Sequence, residues 1–262
     1  MGKFDGYLLL SDIDGTLTDS KGKLSEKNAE AIKYFQSEGG LFTVATGRFP
    51  DFIDGFSDAV RPNTYIIGIN GTVIYDQWEK KDLVTRGLDD SFIPFIHSAI
   101  DNNPEIERIF ISHRHDNIFI PRSDFGSIDE IIASYDHTWY RILLELKAEH
   151  TPHVHDWLIE NYGDSFSINC SWCCGIEIHA KNSGKGTMLT ELAKIVYPNG
   201  EKKKTIAIGD YENDLSMLVS ADIGYAVANA AECAKNAADR ITVSNNENAL
   251  AAIIYELESE MK

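Results

Sequence analysis

Short apolar runs alternate with amphipathic segments along the first part of the chain. Residues 7–10 (YLLL), 42–45 (FTVA) and 65–69 (YIIGI) are apolar runs of four or five residues, and each ends at a polar or glycine-containing turn. Runs of this length are typical of strands buried on both faces of a parallel sheet. A further run, residues 205–208 (TIAI), has the same form near the other end of the chain. Together they predict buried strands.

The segment between the first two runs has the features of a helix. Ser25 suits an N-cap, apolar residues follow at Ala29, Ile32 and Phe35, and Gly39-Gly40 ends the segment. This strand–helix–strand order predicts a βαβ unit with a right-handed crossover. Further helices are predicted over about residues 49–60, 187–196 and 246–257, with a frayed end after the last.

The pattern changes between about residues 81 and 183. Ile176 and Ile178 alternate with Glu177 and His179, so we expect the latter two on an exposed face. Such alternation predicts an antiparallel sheet with helices on one side, an α+β arrangement. The predicted strands cover residues 106–112, 118–120, 142–146, 165–170 and 175–180, and the predicted helices cover 91–102, 127–135 and 151–162.

These elements predict an α/β fold with two parts. A doubly wound, Rossmann-like core with a parallel sheet comprises residues 1–80 and 184–262. An α+β domain is inserted over residues 81–183. Between the strands of the core, Asn70-Gly71 predicts a two-residue type I′ hairpin turn before the insertion begins.

Composition and charge narrow the classes of partner. The chain has 262 residues, 43% of them hydrophobic, and no apolar run approaches the ~18 to 20 residues that a membrane span needs. The run at 7–10 is too short for a signal peptide, so we expect a cytoplasmic protein. A net charge of −17 disfavours nucleic acid and anionic membranes. A small anionic substrate needs only a local cationic pocket, and we expect a monomer or a small homo-oligomer.

Three of the four cysteines lie close together, as Cys170, Cys173 and Cys174. This spacing is compatible with zinc or redox chemistry. A structural zinc site needs four ligands, and the nearest further candidate is His179. With no second Cys-x-x-Cys pair, free cysteines that pack as small apolar residues are the preferred interpretation.

The first candidate for chemistry is Asp12-Ile13-Asp14-Gly15-Thr16-Leu17, directly after the first strand. The carboxyl ends of strands are where open α/β sheets bind ligands. Two acids so close repel each other, and a cation offsets that repulsion; carboxylate oxygens are ligands that Mg²⁺ takes. An ordinary Asp- and Gly-rich turn is the alternative interpretation of this segment alone.

Three further motifs stand at comparable places. Gly209-Asp210 and Asp214 follow the run at 205–208, Thr46-Gly47-Arg48 follows the run at 42–45, and Gly184-Lys185-Gly186 precedes a helix. A hydroxyl and an ammonium are what a phosphoryl group needs when carboxylates and a metal hold its other side. Taken singly, these motifs are equally well explained as a strand-end turn, a solvated lysine and helix-capping acids.

The four motifs in this order resemble the haloacid dehalogenase (HAD) superfamily of phosphatases, in its Cof-like branch with a type C2 (IIB) cap. The tail segments 226–230 and 241–244 are also similar to that branch. The resemblance implies Mg²⁺-dependent hydrolysis of small phosphomonoesters, with sugar phosphates as the expected class, through an aspartyl-phosphate. It also implies that the insertion is a cap domain that selects the substrate.

The resemblance implies a role for each motif residue. Asp12 would be the nucleophile, and Asp14 the general acid and base. Asp12, the backbone carbonyl of Asp14 and Asp210 would bind Mg²⁺, with Asp214 at the metal or in its second shell. Thr46 and Lys185 would contact the phosphoryl group. With Asp12 and Asp14 they complete the set of expected catalytic residues. The other residues expected near phosphate or substrate are Gly15, Thr16, Gly47, Arg48, Asn70, Gly71 and Asn213.

Two other functions stay open at this point. A phosphomutase of the phosphomannomutase type shares the Asp-x-Asp-Gly-Thr-Leu-Thr opening, which here runs through Thr18. A second possibility is a non-catalytic protein that binds phosphometabolites. The complete set of motif residues disfavours the second, and the lack of an extra basic cluster for a second phosphate disfavours the first.

Overall fold

The computed structural model describes residues 2–56, 61–114, 116–135 and 138–261. The chain divides into two compact units, the first made of Met1–Val84 and Gly184–Lys262, the second of Thr85–Ser183. Across the described ranges, no helix has both the length and the apolar character needed to cross a lipid bilayer.

Strands and helices alternate through the first unit, and strands dominate the second. In chain order the strands are β1 (Tyr7–Ser11), β2 (Leu41–Val44), β3 (Ile66–Gly68), β4 (Val73–Asp76), β5 (Lys81–Thr85), β6 (Arg108–His113), β7 (Asp116–Pro121), β8 (Trp139–Glu145), β9 (Phe166–Trp172), β10 (Gly175–Ala180), β11 (Lys204–Gly209), β12 (Ile223–Ala226) and β13 (Arg240–Ile241). The helices are α1 (Glu26–Ser37), α2 (Ile53–Phe56), α3 (Phe92–Asn102), α4 (Ile128–Ala133), α5 (Thr151–Tyr162), α6 (Lys185–Val196), α7 (Leu215–Ser220), α8 (Glu232–Ala237) and α9 (Ala249–Glu260).

Five parallel strands form the main sheet of the first unit, in the order β13-β12-β11-β1-β2. Leu8, Leu9 and Leu10 of the central strand β1 are all fully buried, because helices cover a doubly wound sheet on both faces. Ser11 of β1 pairs with Ile208 of β11, so the two strands end side by side. The predicted α/β fold with a parallel sheet is confirmed.

Helix α1 begins and ends where its sequence predicts. The Ser25 hydroxyl accepts a hydrogen bond from the Asn28 backbone N–H at 3.1 Å. Ala29, Ile32 and Phe35 are buried along one side of the helix. Gly39 follows the helix with φ of +89°, a conformation that favours glycine. Capping and periodicity are local properties, so they set this helix without reference to distant residues.

The hairpin at Asn70 has a different turn from the one predicted. Gly68 pairs with Val73, so the loop has four residues and not two. Ile69 and Asn70 have φ of 49° and 48°, which is unusual for side chains other than glycine. The backbone N–H of Asn70 donates to the carbonyl of Thr46 at 2.9 Å, and this contact with a distant strand end holds the loop open. A local dipeptide signal does not contain that contact.

The segment after β2 also differs from the single helix predicted over 49–60. Pro50–Phe52 form a 3₁₀ turn, and α2 continues over Ile53–Phe56. Residues 57–60 of this prediction lie outside the described residues. Strands β3, β4 and β5 form a separate three-stranded sheet, so residues 81–84 belong structurally with the first unit.

The second unit contains a five-stranded antiparallel sheet in the order β7-β6-β8-β10-β9, with the helices α3, α4 and α5. Each strand predicted over residues 106–180 corresponds to one strand of this sheet. The α+β arrangement predicted from the alternation of apolar and polar residues is therefore confirmed.

The predicted exposure of Glu177 and His179 is wrong. Both residues are only 2% exposed. Glu177 Oε1 accepts from Arg141 Nη1 at 3.0 Å, and Glu177 Oε2 lies 3.1 Å from His179 Nε2. Arg141 Nε donates in turn to the hydroxyl of Ser112 at 3.2 Å. Alternation identifies residues that share a face of a strand, but it does not say whether that face meets solvent.

Substitution of Asn28 tests the contact between α1, near the start of the chain, and α9, near its end. The Asn28 side chain is fully buried, accepts from the backbone N–H of Ala251 at 3.1 Å and faces the carbonyl of Leu17 at 3.4 Å. Asn28→Ala should lower the free energy of unfolding by about 1–3 kcal/mol, because a buried backbone donor loses its partner. Urea unfolding measures this, with Lys33→Ala on the exposed side of α1 as the control. Equal losses of stability in both variants would contradict this role.

Candidate active site

The carboxyl edge of the main sheet gathers three acids from distant parts of the chain. Asp12 follows β1, and Asp210 and Asp214 follow the neighbouring parallel strand β11. Carboxylate oxygens of the three residues lie within 4.8 Å of one another. Because parallel strands end at the same edge, their pairing alone explains why residues almost 200 positions apart meet here.

The turn after Asp12 is shaped by a glycine. Gly15 has φ of +83°, and a Cβ at this position would lie 2.5 Å from Asp210 Oδ2. The backbone N–H and the hydroxyl of Thr18 both donate to the carbonyl of Ile13 at 3.0 Å. Thr16 donates from its hydroxyl to Asp210 Oδ1, also at 3.0 Å. The turn therefore approaches Asp210 closely and fixes one of its oxygens.

Lys185 lies fully buried between two of the acids. Its ammonium donates to Asp12 Oδ1 and to Asp214 Oδ1, both at 2.6 Å. The residue begins α6, whose N-terminus is held by a hydrogen bond from Gly184 N–H to the carbonyl of Gly71 at 3.2 Å. The alternative interpretation of Lys185 as a solvated loop lysine is therefore wrong.

Gly71 allows the hairpin loop to pack closely against the backbone that carries Lys185. Its φ is +90°, and a Cβ there would lie 2.1 Å from the carbonyl carbon of Gly184. Any larger residue would push the start of α6 away from the hairpin loop. The structure thus places Gly71 against the backbone that carries Lys185.

Asp214 has hydrogen-bond partners on both oxygens. Oδ1 accepts from Lys185, while Oδ2 accepts from the backbone N–H groups of Asp210 at 2.8 Å and Tyr211 at 3.2 Å. This side chain therefore fixes both the lysine and the loop that carries Asp210. The same loop leads into α7. Asp210 and Asp214 therefore lie at a helix start and in the acidic cluster at the same time.

Burial and the neighbouring charges shift the pKa values of Asp12, Asp210 and Lys185. Burial raises the pKa of Asp12 well above its usual value, against the lowering effect of Lys185. Burial and the charge of Asp214 raise the pKa of Asp210 to about 6. Burial would lower the pKa of Lys185, but the carboxylates of Asp12 and Asp214 raise it by more. One ammonium thus faces three carboxylates, and the cluster is short of positive charge.

This donor set fits a hard divalent cation. Mg²⁺ binds carboxylate and carbonyl oxygens, and the cluster of Asp12, Asp210 and Asp214 offers several of them within a small radius. Gly15 leaves room beside Asp210 that any side chain would fill. Since both Asp214 oxygens already have partners, Asp12 and Asp210 are the better-placed ligands of the three.

Thr46 is held rigidly at the end of β2. It is 1% exposed, its backbone N–H donates to the carbonyl of Ile67 at 3.0 Å, and its hydroxyl accepts from Arg48 N–H at 3.2 Å. A Cβ on the next residue, Gly47, would lie 3.1 Å from the amide nitrogen of Asn70. The backbone N–H of Asn70 donates to the carbonyl of Thr46 at 2.9 Å, so the two residues also meet through their backbones.

Arg48 forms an ion pair with Asp14. Its Nε donates to Oδ2 at 3.0 Å and its Nη2 donates to Oδ1 at 2.5 Å, a two-pronged contact. The two side chains are 44% and 60% exposed, so the pair contributes only about 0–1 kcal/mol to stability. The resemblance implies that Arg48 lies near the phosphate or substrate, and in the structure its guanidinium pairs with Asp14.

Asn70 and Asn213 come together from the two loops. Asn213 Nδ2 donates to Asn70 Oδ1 at 3.1 Å, and Asn70 is buried. The hairpin loop after β3 and the loop after β11 are thereby joined beside the acidic cluster. Both residues were expected near the phosphate from the resemblance, and the structure brings them to each other.

Sequence reasoning missed residues that support the Asp12 turn from the far end of the chain. Asn229 donates to the carbonyl of Gly15 at 2.9 Å and accepts from Asn245 N–H at 2.9 Å. The side chain of Asn245 donates to the carbonyl of Thr18, again at 2.9 Å. The position of Asn229, three residues beyond the end of a parallel strand, is the signal that would have identified it.

Comparison with known proteins identifies relatives over the whole chain. Residues 9–254 match the model of the haloacid dehalogenase-like hydrolase family. The 5-amino-6-(5-phospho-D-ribitylamino)uracil phosphatase YitU of Bacillus subtilis is 24% identical over 267 residues, covering 95% of this chain and 97% of its own. Phosphatase YwpJ of the same organism is 26% identical over 292 residues, covering 95% and 99%.

Solved structures share the fold. A haloacid dehalogenase-like hydrolase from Bacteroides thetaiotaomicron aligns with a TM-score of 0.74 at 23% identity, covering 97% of this chain and all of that one. The HAD subclass IIB sugar phosphatase BT4131 aligns with a TM-score of 0.76 at 18% identity, covering 96% and 98%. With the family match across residues 9–254, the chain belongs to the haloacid dehalogenase-like hydrolases, in their Cof-like phosphatase branch.

Proposed function

We propose that this phosphatase hydrolyses small phosphomonoesters, sugar phosphates above all, by a Mg²⁺-dependent route through an aspartyl-phosphate on Asp12. The observation that carries the proposal is the contact of the buried Lys185 ammonium with Asp12 at 2.6 Å. A nucleophilic carboxylate repels a phosphate dianion unless adjacent positive charge offsets both. The Lys185 ammonium lies where it offsets charge on Asp12 before and during attack.

In the first step an Asp12 oxygen forms a bond to phosphorus while the ester bond to the leaving oxygen breaks. Asp14, two residues on, gives its proton to that leaving oxygen. In the structure the Asp14 carboxylate pairs with Arg48, so before this transfer it must leave that pair and take up a proton from solvent. An exposed pair of this kind costs about 0–1 kcal/mol to break. Arg48 is then released beside the same site.

In the second step a water oxygen attacks phosphorus and the bond to Asp12 breaks. Asp14 takes the proton of that water, which restores both acids and releases inorganic phosphate. Mg²⁺, held by Asp12, the Asp14 carbonyl and Asp210, would supply positive charge to the phosphoryl oxygens. Thr46 and Asn70, rigidly held at the sheet edge, are suited to contact those oxygens.

The substrate class rests on the relatives and on charge. YitU and BT4131 are a phosphatase of a phosphoribitylamino-uracil and a sugar phosphatase, respectively. Both substrates are small and carry a phosphorylated polyol or sugar. A chain with net charge −17 is a poor partner for nucleic acid or anionic membranes, which leaves small metabolites as the substrates. The second unit would act as the cap that selects among them.

The primary test is hydrolysis of an aryl phosphate and a panel of sugar phosphates. Asp12→Asn should lower kcat by about a thousandfold or more, as removal of a nucleophile does, and chelation of Mg²⁺ should abolish wild-type turnover. Asp156→Asn, which alters an acid that is 86% exposed, is the control and should retain full activity. Activity that survives either the Asp12 substitution or the chelator contradicts the mechanism.

The same panel separates hydrolase from mutase. Phosphorus NMR of a sugar phosphate should show free phosphate appearing with no shifted ester. A shifted ester formed in place of free phosphate would favour the phosphomutase, whose opening motif the chain shares.

A matched pair of glycine substitutions tests whether Mg²⁺ binding depends on the close contact between the turn after Asp12 and Asp210. Gly15 and Gly22 both have positive φ, but a Cβ on Gly22 meets nothing within 4 Å. Gly15→Ala should therefore raise the Mg²⁺ concentration for half-maximal activity by about tenfold, since Asp210 is displaced. Gly22→Ala should leave it unchanged, although both variants lose similar stability from backbone strain. Equal Mg²⁺ dependence in the two variants would show that the contact with Asp210 is irrelevant to metal binding.

Asp14→Asn should separate the two chemical steps. An aryl leaving group departs without a proton, so phosphorylation of Asp12 persists while hydrolysis of the aspartyl-phosphate slows by about a hundredfold or more. Rapid mixing should show a burst of aryl alcohol equal to the enzyme concentration, and intact-protein mass should show one added phosphoryl group. A slower rate without a burst would assign Asp14 to the first step alone.

A further inference from the structure

Two histidines and a glutamate of the second unit bring ligand atoms within 4.8 Å of one another. His150 directly precedes α5, His153 lies in its first turn, and Glu105 lies between α3 and β6. Glu149 adds a second carboxylate, with Oε1 at 3.4 Å from His150 Nε2. None of these residues takes part in the chemistry assigned to the carboxyl edge of the main sheet.

The distances suit a shared ion better than direct hydrogen bonds. His153 Nε2 lies 3.6 Å from Glu105 Oε1, and His150 Nε2 lies 3.4 Å from Glu149 Oε1. Hydrogen bonds between such groups are usually about 2.7–3.2 Å long. Two ligands of a tetrahedral zinc ion, each about 2.0–2.2 Å from the metal, stand about 3.4 Å apart. Both nitrogen–oxygen pairs are close to that separation.

The backbone presents the two imidazoles together. Residues three apart on a helix lie on the same face, one turn above the other, which brings the rings to 5.7 Å between centroids. Pro152 between them fixes φ at the start of the helix. The side chains of Glu105, His150 and His153 are 28%, 36% and 54% exposed, so small rotations suffice to close the remaining distances.

The donor set selects the type of metal. A set of neutral imidazoles and carboxylates suits zinc and other divalent first-row transition metals, whereas Mg²⁺ prefers oxygen ligands alone. The N-terminus of α5 carries partial positive charge, which opposes a cation, and the two glutamates offset it. We propose that Glu105, His150 and His153 form a binding site for a divalent transition metal, zinc first, with Glu149 as the adjacent fourth donor. A bound ion would join the turn before β6 to the start of α5.

Calorimetric titration with zinc tests the proposal on the full-length protein. Saturating Mg²⁺ fills the acidic cluster of the first unit, and replacement of the exposed thiols by Cys173→Ser, Cys174→Ser and Cys233→Ser removes competing ligands. This parent protein should bind one equivalent of zinc. His150→Ala combined with His153→Ala should abolish that binding, and Glu105→Gln should weaken it by about tenfold or more.

The control is His97→Ala in the same parent. His97 is a half-exposed histidine of the same unit that pairs with a single carboxylate, Asp129, at 2.8 Å. This substitution should leave zinc binding unchanged. Circular dichroism and aryl phosphate hydrolysis should be the same in all variants, which separates loss of zinc binding from loss of folding or of phosphatase activity.

Spectroscopy and thermal unfolding give independent readouts. Co²⁺ in place of zinc should produce the intense visible absorption of a four-coordinate ion in the parent and not in the double histidine variant. Zinc should raise the melting temperature of the parent and of the His97→Ala control but not of the double histidine variant, because it binds only the folded site. A parent that binds no zinc, or a double variant that binds it equally well, overturns the proposal.

Discussion

The arrangement of the first unit depends on the contacts that the buried Lys185 ammonium makes with two carboxylates. The ammonium joins Asp12, 173 residues away, to Asp214, 29 residues away, with both contacts at 2.6 Å. Breaking a buried ion pair by removing one partner costs about 3–5 kcal/mol, because the remaining charge stays buried. The end of β1, the loop after β11 and the start of α6 must therefore keep one relative position, and the mechanism proposed above uses that same position.

Much of the surrounding structure holds this arrangement through backbone contacts. Gly15 and Gly71 allow close approaches that a Cβ would prevent, at Asp210 and at the start of α6. Asn229 holds the Asp12 turn by the carbonyl of Gly15, and Asn28 ties α1 to the C-terminal helix α9. Loops fixed in this way keep the carboxylates preorganised, so the proposed reaction would need little rearrangement as charge develops.

Local signals in the sequence predicted the parts of this site, and their failures have a common cause. Apolar runs followed by Asp12 and Asp210 predicted buried parallel strands with ligand sites at their ends, because the rule for such sites needs only strand ends. The structure then placed the two strands side by side. The hairpin at Asn70 and the exposure of Glu177 were predicted wrongly. The first depends on a hydrogen bond to Thr46 and the second on an ion pair with Arg141, and neither partner is near in sequence.

The sequence by itself determined most of the elements, their order, the family and a set of candidate residues for phosphoryl transfer, because periodicity, caps and motif order are properties of neighbouring positions. Only the tertiary structure decided which charges meet. In the structure Arg48 pairs with Asp14, and both oxygens of Asp214 accept hydrogen bonds. Glu105 lies close to His150 and His153. Such contacts depend on distances between remote residues, and packing of the whole unit sets those distances.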